Sequence, residues 1–169
     1  ICMVRENKDG TLFSLVYEKL ISAAVDPIEK KPLYHFLPGS KSYSIATVGC
    51  NFQCKWCQNW NISQMPRLED HVAGRNVSPE EIVEGALQTG CKSIAYTYTE
   101  PTIYFEYMLD TMRIAKSKGL ENIIVSNGYF TAEVLEIMAP HLDGANIDLK
   151  VMDENITKRF MGGTSKPVL

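Results

Sequence analysis

A chain of 169 residues, 45% hydrophobic and 22% charged, can bury one core and is short for two domains. With a net charge of −3 and no basic run interleaved with aromatics, it lacks a nucleic-acid footprint, and no apolar run approaches the roughly 18 residues of a membrane span. The five cysteines are odd in number, three crowd into residues 50–57, and no secretory leader is visible; this suits thiols kept reduced for a metal in the cytoplasm, not a secreted disulfide framework.

In chain order, the first expected element is a short strand over 12–17. An irregular stretch over 26–39 follows, broken by three prolines and a glycine. Residues 43–48 are rich in β-formers and read as a strand. Ser78-Pro79-Glu80-Glu81 is a strong helix start, with Ser78 as cap, Pro79 at the first position and Glu81 completing a capping box. Ile82, Val83, Ala86 and Leu87 continue at helical spacing, and Gly90 closes the helix. The unit then repeats: strand 93–99 and helix 102–118, strand 122–126 and helix 131–139, strand 145–149 and helix 153–160. The Met and Tyr side chains of the 102–118 helix read as core, and His141 as exposed after a helix-ending proline.

Strands alternating with helices imply parallel βαβ units. Four units over 43–161 have the spacing of a (β/α) barrel and do not close one. The expectation is an α/β fold, a partial TIM-like barrel of about four βα units. Residues 1–40 would form an N-terminal strand and extended arm, and 41–169 an incomplete barrel core. The chain opens on Ile1 rather than Met, and a fifth strand would be due near Leu169, so it reads as about two-thirds of a longer partial barrel. A small open doubly wound sheet is the alternative.

The informative segment is Val48-Gly-Cys50-Asn-Phe-Gln-Cys54-Lys-Trp-Cys57-Gln-Asn, directly after the 43–48 strand. Its place is the C-terminal end of a parallel strand, where α/β folds carry their chemistry. The spacing is Cys-x3-Cys-x2-Cys with no fourth cysteine nearby. A structural zinc site fills four positions and an electron-transfer [4Fe–4S] cluster usually takes four thiolates. Three thiolates on a cubane leave one iron open to bind a reactant. Cys91 precedes its strand, and seven or eight residues at ~3.3 Å each put it over ~20 Å from the loop, so it reads as a small buried hydrophobe. Cys2, on an arm that can fold anywhere, stays open as a structural cysteine or a fourth ligand.

This loop, with the aromatic Trp56 before the last cysteine, resembles the signature of the radical S-adenosylmethionine (SAM) superfamily. Asp26-Pro-Ile-Glu-Lys-Lys-Pro-Leu-Tyr-His-Phe36 and Cys54-Lys-Trp-Cys57-Gln-Asn-Trp-Asn-Ile-Ser-Gln64 narrow the resemblance to the radical enzyme of the AmmeMemoRadiSam system, related to pyruvate formate-lyase activating enzymes. The resemblance implies a [4Fe–4S] cluster on Cys50, Cys54 and Cys57, reductive cleavage of SAM, and a 5′-deoxyadenosyl radical that abstracts hydrogen from the substrate. It also implies cofactor contacts on the strand ends. Glu100 stands where relatives have Gly-Gly-Glu-Pro, with Tyr98-Thr99 replacing the two glycines; its alternative role is to start a helix with Pro101. Ser126-Asn127-Gly128 resembles the Thr-Asn-Gly turn near the ribose, or is simply a turn. Asp148-Leu149-Lys150 resembles the Asp-Leu-Lys that flanks the methionine carboxylate, or is a surface ion pair. Trp56 and Gln58 fall at positions near the adenine and cluster, with core packing the alternative for Trp56. An electron donor such as flavodoxin or ferredoxin is implied, with a glycine of a partner protein as substrate. The competing classes are a four-ligand iron–sulfur electron-transfer module and a zinc-stabilised binding domain.

Overall fold

The computed structural model describes residues 2–169. The chain opens with a hairpin, β1 (Arg5–Lys8) and β2 (Thr11–Ser14), joined by Asp9-Gly10. Both turn residues have positive φ, 52° and 87°, as a two-residue hairpin turn demands. Next come β3 (Lys19–Leu20), β4 (Ser22–Pro27), β5 (Lys41–Ala46), and two single-turn helices, α1 (Trp60–Ser63) and α2 (Met65–Leu68). After β6 (Arg75–Asn76), helices and strands alternate: α3 (Pro79–Gln88), β7 (Ser93–Tyr96), α4 (Phe105–Ser117), β8 (Glu121–Ser126), α5 (Ala132–Met138), β9 (Gly144–Ile147) and α6 (Glu154–Met161).

Five strands form one sheet in the order β4-β5-β7-β8-β9. β5, β7, β8 and β9 are parallel and follow chain order without a reversal. A doubly wound sheet reverses its order at a switch point; monotonic order is that of a barrel wall. β4 adds an antiparallel strand outside β5, from Ser22 opposite Ala46 to Pro27 opposite Lys41.

Alternation along the strands separates two faces. Ile45, Ile94, Tyr96 and Ile124 pack with α3 and α4 in the main core, together with Ile82, Val83, Tyr107, Met108 and Met112. Each such fully buried side chain contributes about 1.5–3 kcal/mol. The opposite face carries a small cluster, Ile28, Ala95 and Ile123, covered by Leu33 and Phe36 of the arm. Most of the apolar burial therefore lies on the helical side, leaving the rim free for polar side chains.

Several expected boundaries shift. Of the expected 12–17 strand, residues 12–14 fall in β2, the second half of a hairpin, and 15–17 lie outside any strand, while residues 26–27 of the stretch read as irregular end strand β4. Because β4 is an edge strand ending in Pro27, its burial alternates weakly. The expected 102–118 helix begins as a 3₁₀ turn, Pro101–Tyr104, before α4. Tyr104, Tyr107, Met108 and Met112 are core, as expected, while His141 is half-buried instead of exposed. Among the described residues no helix is long and apolar enough to cross a membrane.

Candidate active site

The cysteine loop leaves β5 through Gly49, whose φ is +99° and where an added Cβ would stand 2.8 Å from Val4 Cγ1. Only glycine allows this close turn. The Cys57 N–H donates to Cys54 O at 3.1 Å, closing a tight turn between the last two cysteines. Cys50 Sγ accepts the Phe52 N–H at 3.4 Å, and Cys57 Sγ lies 3.4 Å from Ser63 Oγ on α1. The loop is fastened to the end of α6: the Gln53 and Lys55 N–H groups donate to Met161 O and Phe160 O at 2.8 and 3.1 Å. These are carbonyls that a helix C-terminus leaves without internal partners. Gln64 Nε2 donates to Phe52 O at 3.0 Å, and the Phe52 ring packs against Tyr129 at 4.9 Å between centroids.

All three thiols are half-buried and free. Burial pushes the Cys50 thiol up to about 12, and the neighbouring Glu100, Cys54 and Cys57 add to the rise. Burial also raises Cys54, while the Lys150 ammonium pulls in the opposite direction. In the bare chain these groups are neutral thiols, so a metal must displace their protons. The sulfurs are within electrostatic reach of one another, yet among the described residues no three cysteine, histidine or acidic side chains form a ready-made metal geometry. The donor set fits an iron–sulfur group taking three thiolates: a soft triplet on one loop with no fourth cysteine in it.

The next three strand ends meet this loop at the same rim. Glu100 follows β7 and is 1% exposed. Its Oε1 accepts from Ser126 Oγ (2.8 Å), Thr102 Oγ1 (2.9 Å) and Thr102 N–H (3.2 Å), and its Oε2 from Asn127 N–H (2.9 Å). Burial raises its carboxyl above the usual range, and these donors partly oppose the rise. Glu100 thus caps the 3₁₀ turn behind Pro101 and also binds β7 to β8. Thr99 Oγ1 donates to Thr47 O at 2.9 Å, joining the ends of β7 and β5. Asn127 Nδ2 donates to Asn51 Oδ1 at 2.7 Å, and Asn51 Nδ2 to Tyr129 O at 3.0 Å, so the loop is tied to the turn after β8. After β9, Lys150 Nζ and Asp148 Oδ2 form an ion pair at 2.7 Å, placed where Lys150 acts on Cys54.

The structure therefore brings Cys50, Cys54, Cys57, Thr99, Glu100, Ser126, Asn127 and Lys150 with Asp148 to one rim. Trp56 (48% exposed) and Gln58 lie on the exposed side of the loop, so Trp56 is not packed in the core. Cys91 is buried at the start of β7, the end opposite the loop. Cys2 lies beside the loop: its carbonyl would be 3.2 Å from a Cβ on Gly49, while its side chain packs on the main core. His35 and His71 are exposed. Asn51 and Asn59, which cross-link the loop to the strand ends, are not among the expected site residues; their signal is an amide between the first two cysteines and another two residues after the third.

The family model of the radical SAM superfamily matches residues 44–169. The chain is 46% identical over 168 residues to an uncharacterised protein of Methanocaldococcus jannaschii, covering 99% of this chain and 49% of that protein. It is 27% identical to a 7-carboxy-7-deazaguanine synthase of Thermococcus kodakarensis, covering 73% of this chain and 54% of the synthase. It is 26% identical to a putative glycyl-radical enzyme activating enzyme of Methanocaldococcus jannaschii, covering 77% and 48%. The chain thus spans about half the length of these curated relatives. Among solved structures, QueE from Escherichia coli matches 82% of this chain and 65% of its own at a TM-score of 0.56 and 15% identity, a likeness of fold.

Proposed function

The chain belongs to the radical SAM superfamily, whose enzymes use a [4Fe–4S] cluster and SAM, and from that premise we propose that Cys50, Cys54 and Cys57 hold the cluster while the ends of β7, β8 and β9 hold the cofactor. When bound, the pair supplies reductive cleavage of the sulfonium and a 5′-deoxyadenosyl radical that takes hydrogen from the substrate. One observation carries the reading: a loop with three thiols and no fourth is hydrogen-bonded, through Asn51 and Asn59, to the strand ends beside it.

The protein's own part is to bind, orient and exclude water. Cys50 and Cys54 would hold the cluster as thiolates, their protons passing to solvent as the metal binds. Lys150, already drawing on Cys54, stands where a carboxylate of the cofactor would find a cation, with Asp148 setting its direction. Ser126 and Asn127, tied to Glu100 through the Ser126 hydroxyl and the Asn127 N–H, build the turn that would face a ribose. Both Glu100 oxygens are engaged within the chain, so its contribution is to fix this turn and to present negative charge to the cofactor's ammonium. The substrate reading is hydrogen abstraction from a glycine of a partner protein, with flavodoxin or ferredoxin as reductant. It is supported by the sequence resemblance and by the relative described as a putative activating enzyme.

The test is anaerobic reconstitution of the polypeptide carrying this sequence, followed by reduction with SAM present. The expected outcome is about four iron and four sulfide per chain and release of 5′-deoxyadenosine. Cys54→Ala should abolish cluster assembly, whereas Cys91→Ala and Cys2→Ala should retain it. Zinc without sulfide would instead support a structural metal domain. Loss of the cluster in Cys2→Ala, with no SAM-dependent spectral change in the parent, would support the four-ligand electron-transfer module.

A further inference from the structure

A tyrosine occupies a turn that glycine would enter freely. Tyr98 has φ of +63°, and the Thr99 N–H donates back to Thr97 O at 2.8 Å, closing a strained three-residue turn. An aromatic residue in this backbone region persists only where its surroundings hold it.

Here the hold comes from two directions. The Tyr98 carbonyl accepts Asn59 Nδ2 at 2.9 Å, from two residues past Cys57. Its hydroxyl donates to Asp26 Oδ2 on β4. Asp26 is 6% exposed and also accepts Lys31 Nζ at 2.7 Å and Lys30 Nζ at 2.8 Å. Lys31 is 1% exposed, and its ammonium sits 4.6 Å from the centroid of the Tyr98 ring. A buried ion pair thus meets both the hydroxyl and the ring face of the same tyrosine. Burying two charges is costly unless each is closely partnered, and the partner they share is the side chain of the strained turn.

We propose that Asp26, Lys31 and Tyr98 form a latch that sets the Thr97–Glu100 turn at the cofactor rim and, through Asn59, registers that turn against the cysteine loop. The latch rests on the cofactor placement proposed above and adds to it a source of affinity outside any direct contact. All three are positioning residues. Releasing the hydroxyl frees the turn to relax, so the ordering cost moves to the moment of cofactor binding. Cofactor affinity falls, while the cysteines and cluster assembly are untouched.

The experiment compares the reconstituted wild-type protein with Tyr98→Phe. Iron and sulfide content should match. The SAM concentration that half-saturates the change in the reduced cluster's electron paramagnetic resonance signal should rise about tenfold, the weight of one buried hydrogen bond to a charged group. At saturating SAM the rate of 5′-deoxyadenosine formation should return to near the wild-type value. In the cluster-free chain, amide exchange at Thr99 and Glu100 should be faster in Tyr98→Phe. Should that variant fail to fold, Tyr98→Gly carries the test, since glycine suits the positive φ but has no hydroxyl or ring; it too should bind SAM more weakly. Unchanged half-saturation in the folded variant overturns the latch alone, because the wild-type response leaves the cofactor site standing. A wild-type protein whose cluster signal ignores SAM overturns both.

Discussion

A β-carbon placed on Gly163 would stand 2.5 Å from Cε1 of Phe52, inside any normal contact. Phe52 lies between the first two cysteines, and its ring is already held by Tyr129. Gly163→Ala therefore forces the ring or the loop to move, an overpacking cost of about 1–3 kcal/mol. The expected outcome is a lower thermal midpoint and faster iron loss from the reconstituted protein, checked by calorimetry and timed iron release. The same loop shows what a sequence discloses at this scale. Cys50, Cys54 and Cys57 are legible as a cluster because their spacing is local, and the structure keeps the three thiols free on one loop. The tie of Asn51 to Asn127 spans 76 residues and that of Asn59 to Tyr98 spans 39, and no local pattern encodes a partner that far away. Glu100 was legible as an acid at a strand end, but not as a carboxylate with both oxygens already taken.

Among the elements, α3 is the most nearly self-specified. Glu81 N–H donates to Ser78 Oγ at 3.3 Å and Ser78 N–H to Glu81 Oε2 at 2.7 Å, so two orphan amides of the helix start are satisfied reciprocally. Ser78→Ala should cost about 1 kcal/mol and leave iron loading unchanged, because α3 packs on the helical face away from the rim. Equal iron content with a lower urea midpoint checks both halves. β5 and the alternating elements from α3 to α6 are readable because each contains its own period and its own stops, whereas α1, α2 and β6 are too short to show one. The N-terminal elements were harder for different reasons. β4 is short, ends in Pro27 and is half-exposed, and its identity comes from pairing along the length of β5. The β1–β2 hairpin carries a local signal, Asp9-Gly10 between two extended runs, that the expected single strand over 12–17 does not include.

For the molecule as a whole, two buried acids give stability opposite dependences on pH. Burial alone would raise the Asp26 carboxyl, but hydrogen bonds from Lys30, Lys31 and Tyr98 outweigh it and hold the group far below the usual carboxylate range. A depressed acid contributes stability that is present above its unfolded value, near ~3.9, and is lost as pH falls toward its folded value. Glu100 is raised by burial, so its contribution is full below about 4.3 and is lost as pH rises through its folded value. Below pH 4, then, the depressed acids set the slope, Asp26 with the largest shift beside Glu106, Asp143 and Glu154, and Glu100 adds little. Asp26→Asn should therefore lose less stability than the wild type between pH 4 and 2. At pH 7 it should be less stable by about 3–5 kcal/mol, because Lys31 would be left buried without its counter-charge. Urea unfolding midpoints across that range test both signs at once. A variant with an unaltered acid slope would show that the Asp26 carboxyl is not held low by Lys30, Lys31 and Tyr98 in the folded chain.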